Sequence, residues 1–214
     1  MGELLIRRRE MIQPSSTPVI TPAYELASPT STENYQISWA PLSTYKDFTI
    51  LCEAYCSNRN WGSSAKSVFA ISSGASFRAG AATNYNYYES NVKTSTGSPY
   101  LAIIFNKATS VGGQDEDPYK CMSLFTRDSS ATKTLKRFAC RFDYANLKIQ
   151  GFSTRDAGRY APNNYWWNVS LYPYFENGLY LNYNTGTTCQ INIFRGYECM
   201  LTDDQINDFL NGVT

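Results

Sequence analysis

Residues 191–212 read "INIFRGYECMLTDDQINDFLNG", the most informative stretch of the chain. Its first part alternates apolar and polar residues as a strand does, and its second part carries the signals of a capped helix. Thr202 offers a capping hydroxyl, and Gln205 completes a capping box. Leu201 before the cap and Ile206 within the helix form a hydrophobic staple. Asp203 and Asp204 sit where the helix dipole favours negative charge, and Gly212 suits a left-handed stop. Ile206, Phe209 and Leu210 share one apolar face, so the helix must cover something apolar. In a β-sandwich the expected recipient is the open edge or mouth between the two sheets.

Upstream, the chain alternates as strands do. "YQISW" places Tyr35, Ile37 and Trp39 on one side. "DFTILCEAYC" places Phe48, Ile50, Cys52, Ala54 and Cys56 on one face, with Thr49, Leu51, Glu53 and Tyr55 opposite. "SVFAI", "YLAIIF", "CMSLF", "NVSLY", "GLYLNY" and "CQINIF" are short strand-like runs. "RFACRFDYANLKIQGF" reads as a hairpin with its turn near Asp143 to Asn146. Many short strands separated by turn signals imply an antiparallel sandwich or barrel.

Composition agrees. Aromatics supply 15 % of the 214 residues, with 17 Tyr, against 17 % charged residues. Tyr, Phe and Thr suit a pleated, half-buried surface. A formal net charge of +1 gives nucleic acid no purchase. The chain has no histidine, which removes His-based triads, His-ligated metals and imidazole bases. No apolar run approaches the roughly 20 residues that span a bilayer, so no membrane partner is expected. Cys52, Cys56, Cys121, Cys140, Cys189 and Cys199 form no CxxC and no metal-ligand spacing. With "MGELLIRRREMI" reading as non-secretory, buried thiols in a reducing compartment are the expectation.

Residues 1–30 differ from the sandwich expected over 31–214. Pro14, Pro18, Pro22 and Pro29 among Ser and Thr favour an extended arm over a helix. Arg7, Arg8 and Arg9 form its dense basic cluster, either a solvated leader or an anchor on an acidic surface.

The ending "FRGYECMLTDDQINDFLNG" and the opening "YELASPTSTENYQISW…KDFTILCEAYC" resemble laminin-G-like, concanavalin A-like jelly-roll domains. The leader "LLIRRREMIQP" looks like what precedes such domains in tailed-phage virion proteins. The resemblance implies an all-β, concanavalin-type jelly-roll sandwich with a short C-terminal capping helix and an extended N-terminal arm. It implies a module that binds glycan, binds protein or builds a particle surface. Glycosidases on this scaffold carry an ExDxxE carboxylate set on one strand, and this sequence does not.

Two constellations remain. Asp115 and Asp117, in "GGQDEDPYK", read either as a solvated turn or as a calcium-binding rim loop; no other cofactor is expected. Tyr85, Tyr87 and Tyr88, in "NYNYY", and Trp166 and Trp167, in "NNYWWN", combine flat rings with amides. They fit a core, a protein interface or a glycan platform, and Trp166 and Trp167 face opposite ways if they lie on a strand. The expectation is a non-enzymatic structural component of a virion, made in a bacterial host cytoplasm. It would be a homo-oligomer whose partners are other virion proteins. The alternative is a carbohydrate-binding module for a bacterial or host surface glycan.

Overall fold

The computed structural model describes residues 20–39, 46–57, 67–71, 77–80, 87–89, 92–94, 101–106, 119–125, 133–154, 166–168, 179–183 and 189–213. The strands in chain order are β1 (Tyr24–Glu25), β2 (Tyr35–Ile37), β3 (Phe48–Ser57), β4 (Ser67–Ile71), β5 (Phe77–Gly80), β6 (Tyr87–Glu89) and β7 (Val92–Thr94). There follow β8 (Leu101–Asn106), β9 (Tyr119–Phe125), β10 (Lys133–Asp143), β11 (Lys148–Ser153), β12 (Trp167–Asn168), β13 (Leu179–Tyr183) and β14 (Cys189–Tyr197). A single described helix, α1 (Asp203–Asn211), follows β14.

The strands form two sheets, ordered β1-β14-β3-β10-β11-β12 and β2-β13-β4-β5-β8-β9-β6-β7. Every pairing is antiparallel except the short contact between β6 and β9. The alternation on β3 sorts its residues as the sequence implies. Phe48, Ile50, Cys52 and Ala54 are buried in the main core, while Leu51 belongs to a second cluster on the opposite face. Register carries the same division onto β10, where Phe138 and Cys140 align with Cys52 and Ile50. The β10–β11 hairpin turns over residues 144–147. There the Asp143 carboxylate accepts from the Asn146 backbone N–H at 2.9 Å and side-chain amide at 2.8 Å.

Aromatic rings join the sheets. Phe69 of β4 stacks on Phe138 of β10 at 6.0 Å and meets Phe194 of β14 edge-on at 5.8 Å. Phe194 also contacts Tyr24 and Trp39 edge-on, each at 6.2 Å, so one side chain links β1, β14, β4 and the segment after β2. The segment expected as an arm therefore reaches the sheet within its last residues: Tyr24 and Glu25 pair with β14, and Leu26 is buried in the core. Residues 1–19, with Arg7, Arg8 and Arg9, lie outside the described residues.

Gly196 sits on the core side of β14, opposite Tyr24 and Ile50. A Cβ there would stand 2.7 Å from the Trp39 indole, closer than atoms tolerate. The prediction is that Gly196→Ala destabilises by about 1–3 kcal/mol, because the indole must leave its slot. Urea denaturation followed by tryptophan fluorescence checks it, and an unchanged midpoint would contradict the packing.

Candidate functional site

The helix has the predicted local chemistry. The Thr202 hydroxyl accepts from the Gln205 backbone N–H, and the Gln205 carboxamide accepts from the Thr202 N–H at 2.9 Å. Gly212 takes the left-handed conformation, φ 79°. Its location differs from the expectation. Ile206, Phe209 and Leu210 pack with Leu51, Ala139, Phe152, Tyr197 and Leu201 on the outer face of the six-stranded sheet, not in the mouth between the sheets. The physical reason is that this sheet has an apolar outer face. Leu51, Ala139 and Phe152 occupy aligned outward positions, and burying the three helix residues there contributes about 1.5–3 kcal/mol each.

Two arginines of β10 hold the helix along its strand. Near the helix start, Arg141 Nη1 donates to the Leu201 carbonyl at 2.7 Å, and Nη2 meets Asp203 Oδ1 at 2.6 Å. Arg141 Nε and Nη2 also donate to Gln150 Oε1 at 2.9 and 2.7 Å. Its guanidinium lies 5.1 Å from the Phe152 ring centre and 5.0 Å from that of Trp166, a cation held against two rings. At the far end, Gly212 abuts the Arg137 guanidinium. The lengths match: nine helical residues rise about 13.5 Å, and the four-residue step along β10 from Arg141 to Arg137 covers about 13 Å.

Beyond Arg137 the helix has ended and the sheet face continues. Leu135 and Tyr55 are register partners there, 39 % and 40 % exposed, with Gln190 of β14 on the other side of Tyr55. Between this patch and the helix runs a polar row. Glu53 accepts from Arg137 Nε at 2.6 Å and from the Asn192 side-chain amide at 3.1 Å. The extra residue that lets Asn192 reach across comes from the bulge between Ile191 and Ile193.

Of the aromatic candidates, Trp166 lies on this outer face, half-buried against Arg141. Trp167 opens β12, and its backbone pairs with that of Ile149. Tyr87 and Tyr88 lie in β6, between β9 and β7 of the eight-stranded sheet, whereas Trp166 lies against the six-stranded one. Tyr85, Asp115 and Asp117 lie outside the described residues, and so does the calcium expectation. Reading the sequence missed Tyr55, Leu135, Gln190, Arg137 and Arg141 as site residues. Their signal was outward apolar residues on β3 and β10, where a solvated face would be polar.

Burial shifts two thiols and two phenols in the same direction. Cys52, Cys140 and Cys189 are buried, and burial pushes the Cys140 thiol far above its ordinary value of 9.0. Cys199 is also raised, by burial and then by the Asp47 carboxylate. Burial raises the phenols of Tyr24 and Tyr197 above 10.0. Each of these acids loses its proton later in the folded state than in the unfolded one. Their contribution is therefore complete below about pH 8.5 and is lost as pH rises through the folded values. The expected result is a lower urea midpoint at about pH 10.5 than at about pH 8. An equal midpoint at the two pH values would contradict it.

No protein-family profile matches the chain, and no curated protein sequence does. Among solved structures, the CBM40 of a Ruminococcus gnavus IT-sialidase, bound to α2,6 sialyllactose, is 10 % identical with TM-score 0.47, covering 87 % of this chain and 97 % of that one. A mutant of HCR/D gives 10 % identity and TM-score 0.46, covering 79 % of this chain. The botulinum neurotoxin type G receptor-binding domain gives 9 % and 0.43, covering 78 %. The chain spans only 37 % of the HCR/D chain and 38 % of the type G domain. At these scores the likeness carries no argument about what this chain binds.

Proposed function

We propose that the chain is a non-catalytic recognition module, a concanavalin-type jelly roll that binds carbohydrate on a bacterial or host surface. The observation that supports this reading is the Arg141 stack. It holds the Trp166 ring half-buried on a sheet face that a docked helix makes rigid. A fixed flat ring suits the apolar C–H face of a pyranose, because little side-chain freedom is lost on binding. The reading of the chain as a virion component, anchored by Arg7, Arg8 and Arg9 to other virion proteins, rests on residues outside the described ones, so recognition stands first.

The test is a glycan array probed with the full chain and with Trp166→Ala. The reading predicts that the full chain retains a defined set of glycans. The variant should lose at least tenfold in affinity for them while its far-UV spectrum stays unchanged. Retention of no glycan by a folded chain would contradict the proposal.

A further inference from the structure

From the uncovered end of the outer sheet face we infer a second contact area, the patch of Tyr55, Leu135 and Gln190, that takes an uncharged sugar unit. The inference rests on the recognition reading and adds the place and charge of the ligand. Tyr55 and Leu135 are neighbours across β3 and β10, and Tyr55 is flanked in the sheet on both sides, by Leu135 and by Gln190 of β14. Yet each leaves about two fifths of its side chain exposed where the rows above are covered by α1.

Size selects the occupant. Two fifths of a full-sized side chain each amounts to roughly 150 Å² of exposed surface. A stable protein partner needs about 800 Å² per side. Among the described residues, a patch of this area fits the face of one or two pyranose rings and falls short of what a second copy of this chain would need. Charge selects further. The patch's charged boundary is satisfied internally, since Glu53 accepts from both Arg137 and Asn192. An anionic ligand would have to compete with Glu53 for Arg137, and a cationic one with Arg137 for Glu53. Among the described residues, the groups left to meet a ligand are the Tyr55 ring and hydroxyl, the Leu135 methyls and the carbonyl oxygen of the exposed Gln190 side chain, whose amide nitrogen donates to Asn192 Oδ1 at 3.1 Å. An apolar face with a hydroxyl and an amide beside it matches an uncharged sugar, which presents C–H groups in the middle and hydroxyls at its edge.

The experiment is calorimetric titration of the full chain with uncharged oligosaccharides ending in glucose, galactose, mannose or N-acetylglucosamine, and with their sulfated counterparts. It is run on wild type, Tyr55→Ala, Tyr55→Phe and Gln190→Ala. The expected result is a preference for the uncharged members, at least tenfold weaker binding in Tyr55→Ala, and near-wild-type binding in Tyr55→Phe, which keeps the ring. The far-UV spectrum of Tyr55→Ala shows whether its loss comes from unfolding. Binding that survives in both Tyr55→Ala and Gln190→Ala overturns this site and leaves the recognition reading standing. A preference for the sulfated members overturns the charge argument. A change of oligomeric state in Tyr55→Ala, with sugar binding intact, assigns the patch to a protein contact and overturns the inference. No binding by any folded form overturns the recognition reading and the inference together.

Discussion

Phe194→Ala is expected to destabilise the protein by about 3–5 kcal/mol, the range for removing a fully buried aromatic side chain from a packed core. Phe194 is 0 % exposed, and its ring meets Tyr24, Trp39 and Phe69, three rings that come from three separate parts of the chain. The alanine therefore loses the transfer energy of one ring and leaves a cavity where the edge of one sheet meets the other. The surrounding rings are held by β1 and β4 and cannot collapse into it. Phe194→Leu should lose far less, about 1–1.5 kcal/mol, because most of the volume is kept. Equilibrium urea unfolding checks both, and a cost below about 1 kcal/mol for the alanine variant would contradict the placement of Phe194 at this junction.

The second large effect belongs to Arg141→Ala, with an expected loss of about 2–4 kcal/mol. The Asp203 contact accounts for little of it, because the carboxylate is 56 % exposed and water screens the pair. The larger part comes from what stays behind. Gln150 is 2 % exposed, and its carbonyl oxygen would lose both donors while still buried. The Leu201 carbonyl loses its partner too, as do the Phe152 and Trp166 rings. A lysine cannot restore this, having neither the planar fork nor the stacking face. The double replacement Arg141→Met with Gln150→Leu should recover part of the loss, since it removes the buried oxygen along with its donor. The distinguishing readout is amide hydrogen exchange. In Arg141→Ala the helix amides of residues 206–211 should exchange faster than those of β3, because the helix loses its pin while the sheet keeps its ladder. Uniform acceleration across both elements would contradict a local role.

What could be read from the sequence follows the range of the forces involved. The capping box of Thr202 and Gln205, the Gly212 stop and the turn after Asp143 are set by residues within a few positions of each other, and all are present. The alternation on β3 and β10 was legible for the same reason, since side-chain period alone assigns Phe48, Ile50 and Cys52 to one face. The docking of α1 was not legible. Ile206, Phe209 and Leu210 state that a helix face is covered, but the covering residues Leu51, Ala139 and Phe152 are scattered across three strands. Only strand register brings them together, and register between β3 and β10 is fixed across 75 or more intervening positions of chain. The mouth between the sheets was the reasonable recipient until the outward positions proved apolar. The same limit hid the site. Tyr55 looked like an ordinary outward residue of β3, and its value depends on where the helix stops, at Arg137 and Gly212. Trp166 was legible as an aromatic beside amides, but its partner Arg141 lies on another strand.

In the proposed reading, the outer face of the six-stranded sheet, beside and beyond helix α1, is the face that meets ligand. The direct measurement is an amide chemical-shift titration of the full chain with an oligosaccharide retained on the array. The perturbed amides are expected to cluster at Glu53, Tyr55, Leu135, Gln150, Trp166 and Gln190, all on that face. Perturbations confined to β2, β13 and β4 of the other sheet, with those six amides unmoved, would contradict it.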